Sequence, residues 1–262
     1  MFCEDLKGKK VLVTGSSSGI GRATAIQFAR QGCFVGVHYF KTKTGGEKTL
    51  KEVRKYGDGV LLHADVRDEK QVRRMVARFA KAPAFDCASS RGGIDILVNN
   101  AGDLIDRQPF ETATLDYHDD IYATNVRSIF LVTQAALPYL KKNSGCIVNT
   151  GSVAGHHGGG AGSGIYAAAK AAVHVQTIAM AKEFGKYRIR VNTVVPGLIE
   201  TRFHQRYSSP QRRAMVAKET PLSRNGTADD VAKAILFLAS SDSAGFITGE
   251  YIAINGGLYM RA

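Results

Sequence analysis

Short apolar runs alternate with helical patterns along the whole chain. Seven runs rich in aliphatic and β-branched residues predict strands, and several are continuously apolar, as expected for strands covered on both faces. They lie at 11–13, 34–37, 60–62, 94–98, 147–148, 191–195 and 251–254. Between them, apolar residues recur at helical spacing, as from Val72 to Ala80. This alternation predicts an α/β fold with a doubly wound parallel seven-stranded sheet and helices on both faces.

Two segments interrupt this alternation. Residues 82–93 form a predicted loop before the fourth strand. We interpret this segment as a surface loop outside the catalytic site. Residues 196–224 form a long connection before the last helix. Long loops in compact domains often serve as lids or binding loops, so we expect a substrate loop at about 198–224 within a single domain covering 1–262.

Composition limits the class of protein. The 262 residues are 44% hydrophobic and 22% charged, which is a globular profile. No apolar run reaches the roughly 18 residues needed to span a bilayer, and the N-terminus lacks the apolar stretch of a signal peptide. The cysteines are far apart, which fits a cytoplasmic protein without a zinc site or disulfide framework. They are Cys3, Cys33, Cys87 and Cys146.

The chain carries a net charge of +12, from 35 Lys and Arg against 23 Asp and Glu. Such a charge favours an anionic partner, such as a nucleotide or an acidic carrier protein, although a merely basic surface explains it equally well. No basic stripe interleaved with aromatic residues accompanies the charge, so we do not expect a nucleic-acid partner.

Glycines follow the first predicted strand. Gly15, Gly19 and Gly21 stand between that strand and a helix. Glycine permits a tight turn, and a pyrophosphate can approach the backbone only where no Cβ intervenes. The following helix directs free N–H groups at the phosphates. A plain glycine-rich turn would explain the triplet alone, but its position predicts a dinucleotide site. We expect Ser17, Ser18 and Ile20 of the same loop to contact the dinucleotide as well.

The end of the second strand selects the coenzyme. NAD sites place an acid there to accept hydrogen bonds from the ribose hydroxyls. Residues 38–43 contain no acid, whereas Lys41 and Lys43 would attract a 2′-phosphate. We therefore expect His38, Tyr39 and Lys41 to meet the coenzyme, with NADP(H) preferred and His38→Asp reversing the preference. If these lysines are ordinary loop charges, NAD(H) serves as well.

Further motifs occur in a fixed order along the chain. After Thr14-Gly15-x-x-x-Gly19-x-Gly21 come Asn99-Asn100-Ala101-Gly102, Asn125 in Ala-Thr-Asn-Val, Ser152, Tyr166-x-x-x-Lys170, Pro196-Gly197-x-Ile199-x-Thr201 and Asn255-Gly256-Gly257. In this order the chain resembles the short-chain dehydrogenase/reductase family over essentially its whole length. The resemblance implies a Rossmann domain, with coenzyme contacts at Asp65, Val66, Asn99, Ala101, Gly102, Tyr166, Lys170, Pro196, Gly197, Ile199 and Thr201.

The chemistry of the side chains partly identifies the reactive residues and their roles. Tyr166 and Lys170 share a helix face, and a nearby ammonium favours the phenolate of an otherwise weakly acidic tyrosine. Tyr166 is then the acid/base for a carbonyl or alcohol oxygen, and Ser152 a donor to that oxygen. The resemblance implies that Asn125 completes the catalytic set and that Lys170 also holds the nicotinamide ribose.

Two details depart from a plain match. Ser152 and Tyr166 lie slightly further apart than is usual in the family, and the glycine-rich loop between them can absorb the difference. His156 and His157 adjoin in that loop without a nearby carboxylate or cysteine, which is a poor ligand set. We therefore predict no metal.

The resemblance implies hydride transfer between NAD(P)H and a ketone or secondary alcohol. It is strongest to 3-oxoacyl-[acyl-carrier-protein] reductases, which act on acyl thioesters. Sugar, polyol and steroid dehydrogenases, and a non-catalytic dinucleotide sensor or scaffold, remain alternatives. Basic residues at 204–224 would meet an acidic carrier or form the solvated face of a lid. Ala-rich helices around 114–141 and 165–185 resemble those through which the family forms dimers and tetramers, so we expect a homo-oligomer.

Overall fold

A computed structural model describes residues 3–83 and 93–260. Its seven strands form one sheet in which every neighbouring pair is parallel, in the order β3-β2-β1-β4-β5-β6-β7. The strands are β1 (Lys10–Val13), β2 (Phe34–Tyr39), β3 (Asp58–His63), β4 (Ile96–Asn99), β5 (Cys146–Thr150), β6 (Arg190–Pro196) and β7 (Tyr251–Ile254). This arrangement confirms the predicted doubly wound sheet.

Helices connect the strands and cover both faces of the sheet. They are α1 (Gly19–Arg30), α2 (Lys43–Val53), α3 (Glu69–Lys81), α4 (Leu115–Tyr122), α5 (Ser128–Asn143), α6 (Ala154–His157), α7 (Gly164–Phe184), α8 (Arg202–Tyr207), α9 (Pro210–Glu219), α10 (Ala228–Ala239) and α11 (Ser241–Ala244). Short 3₁₀ turns lie at Glu4–Leu6 and Gly185–Tyr187, and a π-helical turn at Ala123–Arg127. Across 3–83 and 93–260, no helix has the length and apolarity to cross a membrane.

Two apolar layers hold the helices against the sheet. On one face, α1, α2 and α10 bury residues such as Phe28 and Ile235 against alternate side chains of the central strands. On the other face, α3 and α5 bury Phe79 and Leu140. Phe28 and Phe79 are fully buried, and truncation of such a side chain to alanine typically costs about 3–5 kcal/mol. The sheet is therefore a rigid base for the loops at its ends.

The chain reverses its direction across the sheet between β3 and β4. Because β1 and β4 are neighbours whose following loops lead to opposite faces, a crevice opens at their carboxyl ends, where doubly wound sheets bind ligands. The predicted connection at 196–224 contains α8 and α9 beside this crevice. Of the predicted surface loop at 82–93, residues 84–92 lie outside the described residues, as does Cys87.

Candidate active site

The loop after β1 has the shape of a phosphate cradle. Gly15 and Gly19 have φ of +66° and +55°, in the left-handed region that favours glycine. A Cβ at Gly21 would lie 2.5 Å from the Gly15 carbonyl oxygen, so a larger residue does not fit. The N-cap residue of α1, Ser18, makes no side-chain cap, which leaves the helix N-terminus open toward the crevice. These residues fit the diphosphate of a dinucleotide.

Side chains from β1 and β4 fix this loop. The Thr14 hydroxyl donates to the Val98 carbonyl and accepts from the Asn100 and Ala101 amides at 2.9 and 3.1 Å. The Asn100 side chain donates to the carbonyls of Thr14 and Gly15 at 2.9 and 3.3 Å. The loop after β4 thus holds the glycine loop in place, a role for Asn100 that the sequence did not single out.

His38 supports the glycine loop from beneath, which corrects its predicted place beside the ribose. The side chain is 1% exposed, its Nδ1 accepts from the Gly15 amide at 2.8 Å, and its Nε2 then donates to the Ala64 carbonyl at 3.0 Å. Burial lowers the pKa of His38 to about 4, against the effect of the Ala64 carbonyl. A buried neutral ring cannot meet a 2′-phosphate, so the reasoning behind His38→Asp was wrong.

The remaining residues predicted to bind the coenzyme lie around the carboxyl ends of β2 and β3. Lys41 is exposed and lies 6.0 Å from the Phe40 ring centroid, whereas Lys43 pairs with Glu47 at 3.7 Å. The Tyr39 ring packs 5.0 Å from that of His63. Beyond β3, the Asp65 carboxylate pairs with Arg67 at 2.8 Å, and Val66 is buried in the core. Of the residues predicted here, Lys41 is an exposed cation that is not ion-paired within the described chain.

Three of the four predicted reactive residues line one pocket of about 680 Å³. Its lining includes Ser152, Tyr166 and Lys170, together with the glycine loop. The Lys170 ammonium donates to the Thr150 carbonyl at 2.9 Å and lies 5.7 Å from the Tyr166 ring centroid. The Ser152 hydroxyl accepts from the Ala154 amide at 3.1 Å, which fixes its position at the start of α6. One helix turn of α7 therefore presents the phenol and the ammonium together.

Burial shifts both titratable groups of this pair toward their neutral forms. It raises the pKa of Tyr166, which the Ser152 hydroxyl offsets by hydrogen bonding and Asp103 raises further. It lowers the pKa of Lys170 to about 8, because the ammonium is only 4% exposed. Tyr166 is therefore a neutral phenol at neutral pH, the form that donates a proton to a carbonyl oxygen.

Asn125 lies behind the pocket in the π-helical turn. It is fully buried, and its amide donates to the carbonyls of Asp103 and Ile121 at 2.8 and 2.9 Å. Its Oδ1 accepts from the Asp103 amide at 3.2 Å. A Cβ at Gly102 would lie 2.7 Å from that oxygen and 3.2 Å from Lys170 Nζ. Asn125 therefore joins the loop after β4 to the lysine side of the pocket.

The structure brings most predicted site residues to this pocket. They are Gly15, Ser18, Gly19, Ile20, Ala101, Gly102, Ser152, Tyr166, Lys170, Pro196, Gly197, Ile199 and Thr201. Ser17 and Gly21 lie beside it in the glycine loop and the first turn of α1. Asn99 is buried, and its amide donates to the side chains of Thr133 and Asn149. Its side chain therefore braces β4 against its neighbours.

The other half of the pocket is built by α8 and the loop after β4. The Phe203 ring packs 6.0 Å from the Tyr166 ring centroid. The Tyr207 hydroxyl donates to Asp103 Oδ1 at 2.9 Å, which fastens the end of α8 to that loop. Arg107, His204 and Leu258 also line this half. The sequence reasoning missed these three, because none of them belongs to a motif and so none gives a local signal.

The adjacent histidines lie in different surroundings. His156 packs between rings, 4.4 Å from His174 and 5.6 Å from Tyr259, while His157 lines the pocket. Within 3–83 and 93–260, no group of three or more His, Cys, Asp or Glu residues could hold a metal ion.

The chain is similar to known reductases over nearly its full length. The family model described as "Enoyl-(Acyl carrier protein) reductase" matches residues 15–259. A 3-oxoacyl-[acyl-carrier-protein] reductase FabG from Staphylococcus aureus is 37% identical over 254 residues, covering 96% of this chain and 98% of the relative. The Vibrio cholerae FabG is 37% identical over 98% of this chain and 99% of its own length.

Solved structures agree with the sequence comparisons. An NADH-dependent reductase A1-R' responsible for alginate metabolism superimposes with a TM-score of 0.87 and 35% identity over 98% of this chain and all of the other. The same reductase complexed with NAD gives a TM-score of 0.85 and 34% identity over 99% of this chain and all of the other. The shared fold therefore includes a neighbour that binds a nicotinamide dinucleotide.

Proposed function

The chain belongs to the short-chain dehydrogenase/reductase family and is an NAD(P)H-dependent reductase of the 3-oxoacyl-[acyl-carrier-protein] reductase type, and we propose that it reduces the keto group of a 3-oxoacyl thioester or a related ketone. One observation supports this proposal above the others. Tyr166, Lys170 and Ser152 line the same pocket as the glycine loop, so a carbonyl beside the dinucleotide would meet all three.

In this proposal the chain supplies the proton and the alignment. The bound dinucleotide supplies the hydride. The Tyr166 hydroxyl gives its proton to the carbonyl oxygen, while the Ser152 hydroxyl donates a hydrogen bond to the same oxygen as it gains negative charge. The neutral phenol that burial maintains is the state this direction requires. A neutral Tyr166 can therefore donate the proton that reduction of a carbonyl requires.

Lys170 has two proposed roles. Its ammonium stabilises the phenolate that remains after proton transfer, since the two groups are neighbours on α7. It also lies near enough to Gly102 to hold ribose hydroxyls of a dinucleotide in the pocket. Asn125 keeps the loop that carries Gly102 against the lysine, and so positions it without facing the substrate.

The direct test is turnover. Purified protein should oxidise NADPH in the presence of a 3-oxoacyl thioester, and a panel of ketones, sugars and steroids defines the preferred carbonyl. Ser152→Ala should lower kcat by about 10²–10³-fold, since it removes one donor to the oxyanion. Failure to oxidise either coenzyme with every carbonyl of the panel would contradict the proposed function.

We further propose that NADPH is preferred over NADH. The support is the exposed end of β2, where Phe40 and Lys41 stand in place of an acid and Lys41 is not ion-paired within the described residues. A charge-assisted contact to a 2′-phosphate is worth about 1.5–3 kcal/mol, or roughly 10–150-fold in affinity. We expect at least a tenfold preference in kcat/KM at low salt, and a smaller one as salt screens the contact.

A pair of variants tests this proposal. Lys41→Ala should remove most of the NADPH preference and leave kcat/KM with NADH within about threefold. Lys43→Ala is the matched control, because that lysine is paired with Glu47 and its loss should leave the ratio unchanged. Equal efficiency of the wild-type protein with both coenzymes would overturn the preference without affecting the assignment as a reductase.

The setting of the enzyme is also a proposal. Cys3, Cys33 and Cys146 are buried and form no disulfide with one another, as suits a reducing compartment, so we propose the cytoplasm. We also propose a homo-oligomer, dimer or tetramer, because large apolar side chains such as Phe110 and Phe130 are exposed near α4 and α5. Light scattering after size exclusion measures the state directly.

A further inference from the structure

The substrate half of the pocket has an unusual charge distribution, and the argument from it rests on the proposed reductase function. We infer that this half is built for a carbonyl compound that carries a negative charge, with Arg107 as the residue that recognises the anion. The shared chemistry is a carboxylate or phosphate group, carried by a small oxo acid or by the phosphopantetheine arm of a thioester.

The first observation is the sign of the lining charges. The charged side chains that line the pocket are Arg107, Lys170, Arg202 and Arg212, and no carboxylate of the described residues is among them. The nearby acids have partners of their own, and Asp106 Oδ1 accepts from the Arg107 backbone amide at 2.7 Å. Glu200 pairs with Arg213 at 2.7 Å, and Asp103 accepts from the Tyr207 hydroxyl. A cleft lined by one sign of charge concentrates ligands of the opposite sign.

The second observation is the way Arg107 is held. Its Nη1 donates to the Ala161 carbonyl at 2.8 Å, and its Nε donates to the Tyr207 carbonyl at 3.2 Å. These bonds attach one guanidinium to two walls of the pocket without neutralising it. Arg107 has no ion pair with an acid in the described chain, and its remaining N–H groups can form a bidentate contact with an oxyanion.

The wall that Arg107 contacts is built of small residues. It consists of backbone at Gly159, Gly160 and Ala161, and a Cβ at Gly160 would come within 3.8 Å of Arg107 Nη1. His204 adds a neutral polar ring to the same half. Burial lowers the pKa of His204 to about 4, and the charge of Arg107 lowers it as well, so it adds hydrogen-bonding capacity without charge.

The position of Arg107 separates it from the dinucleotide. The open N-terminus of α1 suits the diphosphate, and Thr201, which precedes Arg202, lies next to Gly19 in that loop. Arg107 contacts Tyr207 and Ala161, on the side where Phe203 packs against Tyr166. We therefore assign Arg202 to the coenzyme side and Arg107 to the substrate side.

The experiment compares charged and neutral forms of matched substrates. One pair is acetoacetate and its methyl ester, and the other is S-acetoacetyl-phosphopantetheine and S-acetoacetyl-pantetheine. We expect the charged member of at least one pair to have a higher kcat/KM, by about 10- to 100-fold at low salt, as a charge-assisted contact predicts. Preference within the first pair assigns a carboxylate, and preference within the second assigns a phosphate.

Variants then link the preference to one side chain. Arg107→Gln keeps hydrogen-bond donors near Ala161 and Tyr207 but removes the charge, so it should lower kcat/KM for the charged member far more than for the neutral member and abolish the preference. Arg206→Gln is the control, because Arg206 is 65% exposed, lies in the same region and does not line the pocket. It should leave the preference intact.

Binding makes the inference testable independently of turnover. Calorimetric titration of the four compounds into the protein saturated with NADP⁺ should show the same charged-over-neutral preference, and Arg107→Gln should remove it. Reduction or binding of charged and neutral members with equal efficiency would overturn the inference and leave the reductase assignment standing. A preference that persists in Arg107→Gln would also overturn it. If the wild-type protein bound the charged compounds preferentially but turned over none of the four, the result would instead contradict the proposed function.

Discussion

Individual residues in the pocket have protonation states that the surrounding protein determines. Tyr166 and Lys170 are neighbours on one helix face, yet burial opposes the charged form of each. The phenol is kept neutral and ready to donate, while the ammonium donates to the Thr150 carbonyl. Burial of an ammonium is an energetic cost that proteins retain where function needs the charge.

Tyr166→Phe isolates the proton. Removal of the hydroxyl should reduce kcat by about 10²–10⁴-fold, the contribution typical of general acid–base groups. The ring should still pack against Phe203, so the pocket should keep its shape. Dinucleotide affinity, measured by fluorescence quenching, should stay within about threefold of wild type. A variant that kept more than a tenth of wild-type kcat would rule out Tyr166 as the proton donor.

Lys170→Met tests the cost of the buried charge. The pKa falls from 10.5 in the unfolded chain to about 8 in the folded protein, so the unfolded state binds more protons between these values and wild-type stability rises with pH across that window. Below pH 8, burial of the Lys170 ammonium costs the folded state about 3 kcal/mol. The hydrogen bond to the Thr150 carbonyl offsets roughly 1 kcal/mol of this cost.

The expected result is a more stable and inactive variant. Urea unfolding should give Lys170→Met a free energy of unfolding about 1–3 kcal/mol above wild type at pH 7, and this gain should shrink toward pH 10.5. A Lys170→Met variant less stable than wild type at pH 7 would show that the ammonium stabilises the fold.

At the scale of secondary-structure elements, two helical features coincide with the candidate site. They are the uncapped N-terminus of α1 and the π-helical turn between α4 and α5. Ser18, the N-cap residue before α1, makes no side-chain cap, so the first N–H groups of the helix remain available to an anion. Between α4 and α5 the chain forms a π-helical turn, and Asn125 lies within it. Such turns are rare and occur frequently at functional sites. α8 closes the pocket through Phe203 and Tyr207.

Gly21→Ala tests the start of α1. The added Cβ would lie 2.5 Å from both the Gly15 carbonyl oxygen and Asn100 Nδ2, so the glycine loop must shift. Overpacking of this kind typically costs about 1–3 kcal/mol. We expect dinucleotide affinity to fall at least tenfold, as measured by calorimetric titration. Gly185→Ala is the matched control, since a Cβ there meets nothing within 4 Å. Unchanged affinity in Gly21→Ala would contradict the close-approach role of this glycine.

At the scale of the whole molecule, the site depends on elements from both halves of the sheet. Loops after β1, β4, β5 and β6 meet at one crevice, and two apolar layers fix the strands that carry them. A ligand that bridges these loops binds the folded state alone and therefore stabilises the entire domain.

A bound dinucleotide should raise the melting temperature. At a free concentration of 100 Kd, mass action adds about 2.7 kcal/mol, which corresponds to roughly 5–10 °C for a domain of this size. Scanning calorimetry with NADPH and with NADH at equal concentration ranks the two coenzymes without a substrate. Gly21→Ala should lose most of the shift, and an equal shift in that variant and in wild type would place the coenzyme elsewhere.

The sequence by itself determined the sheet, its parallel strands and the residues of the reactive motif. Local patterns carry this information, since apolar runs predict buried strands and the spacing of Tyr166 and Lys170 places both on one helix face. The glycines after the first strand likewise predicted the phosphate cradle, because a positive φ or a close approach of a ligand to the backbone favours glycine.

Only the tertiary structure decided which way the other side chains face. His38 lies one residue before the end of β2, and its burial under the Gly15 loop follows from how β2 lies beside β1. Arg107 lies in a loop without a motif, and it enters the pocket because Ala161 and Tyr207, distant in the chain, both accept its hydrogen bonds. Such contacts join segments that no local pattern connects, so their chemistry arises only when the chain is folded.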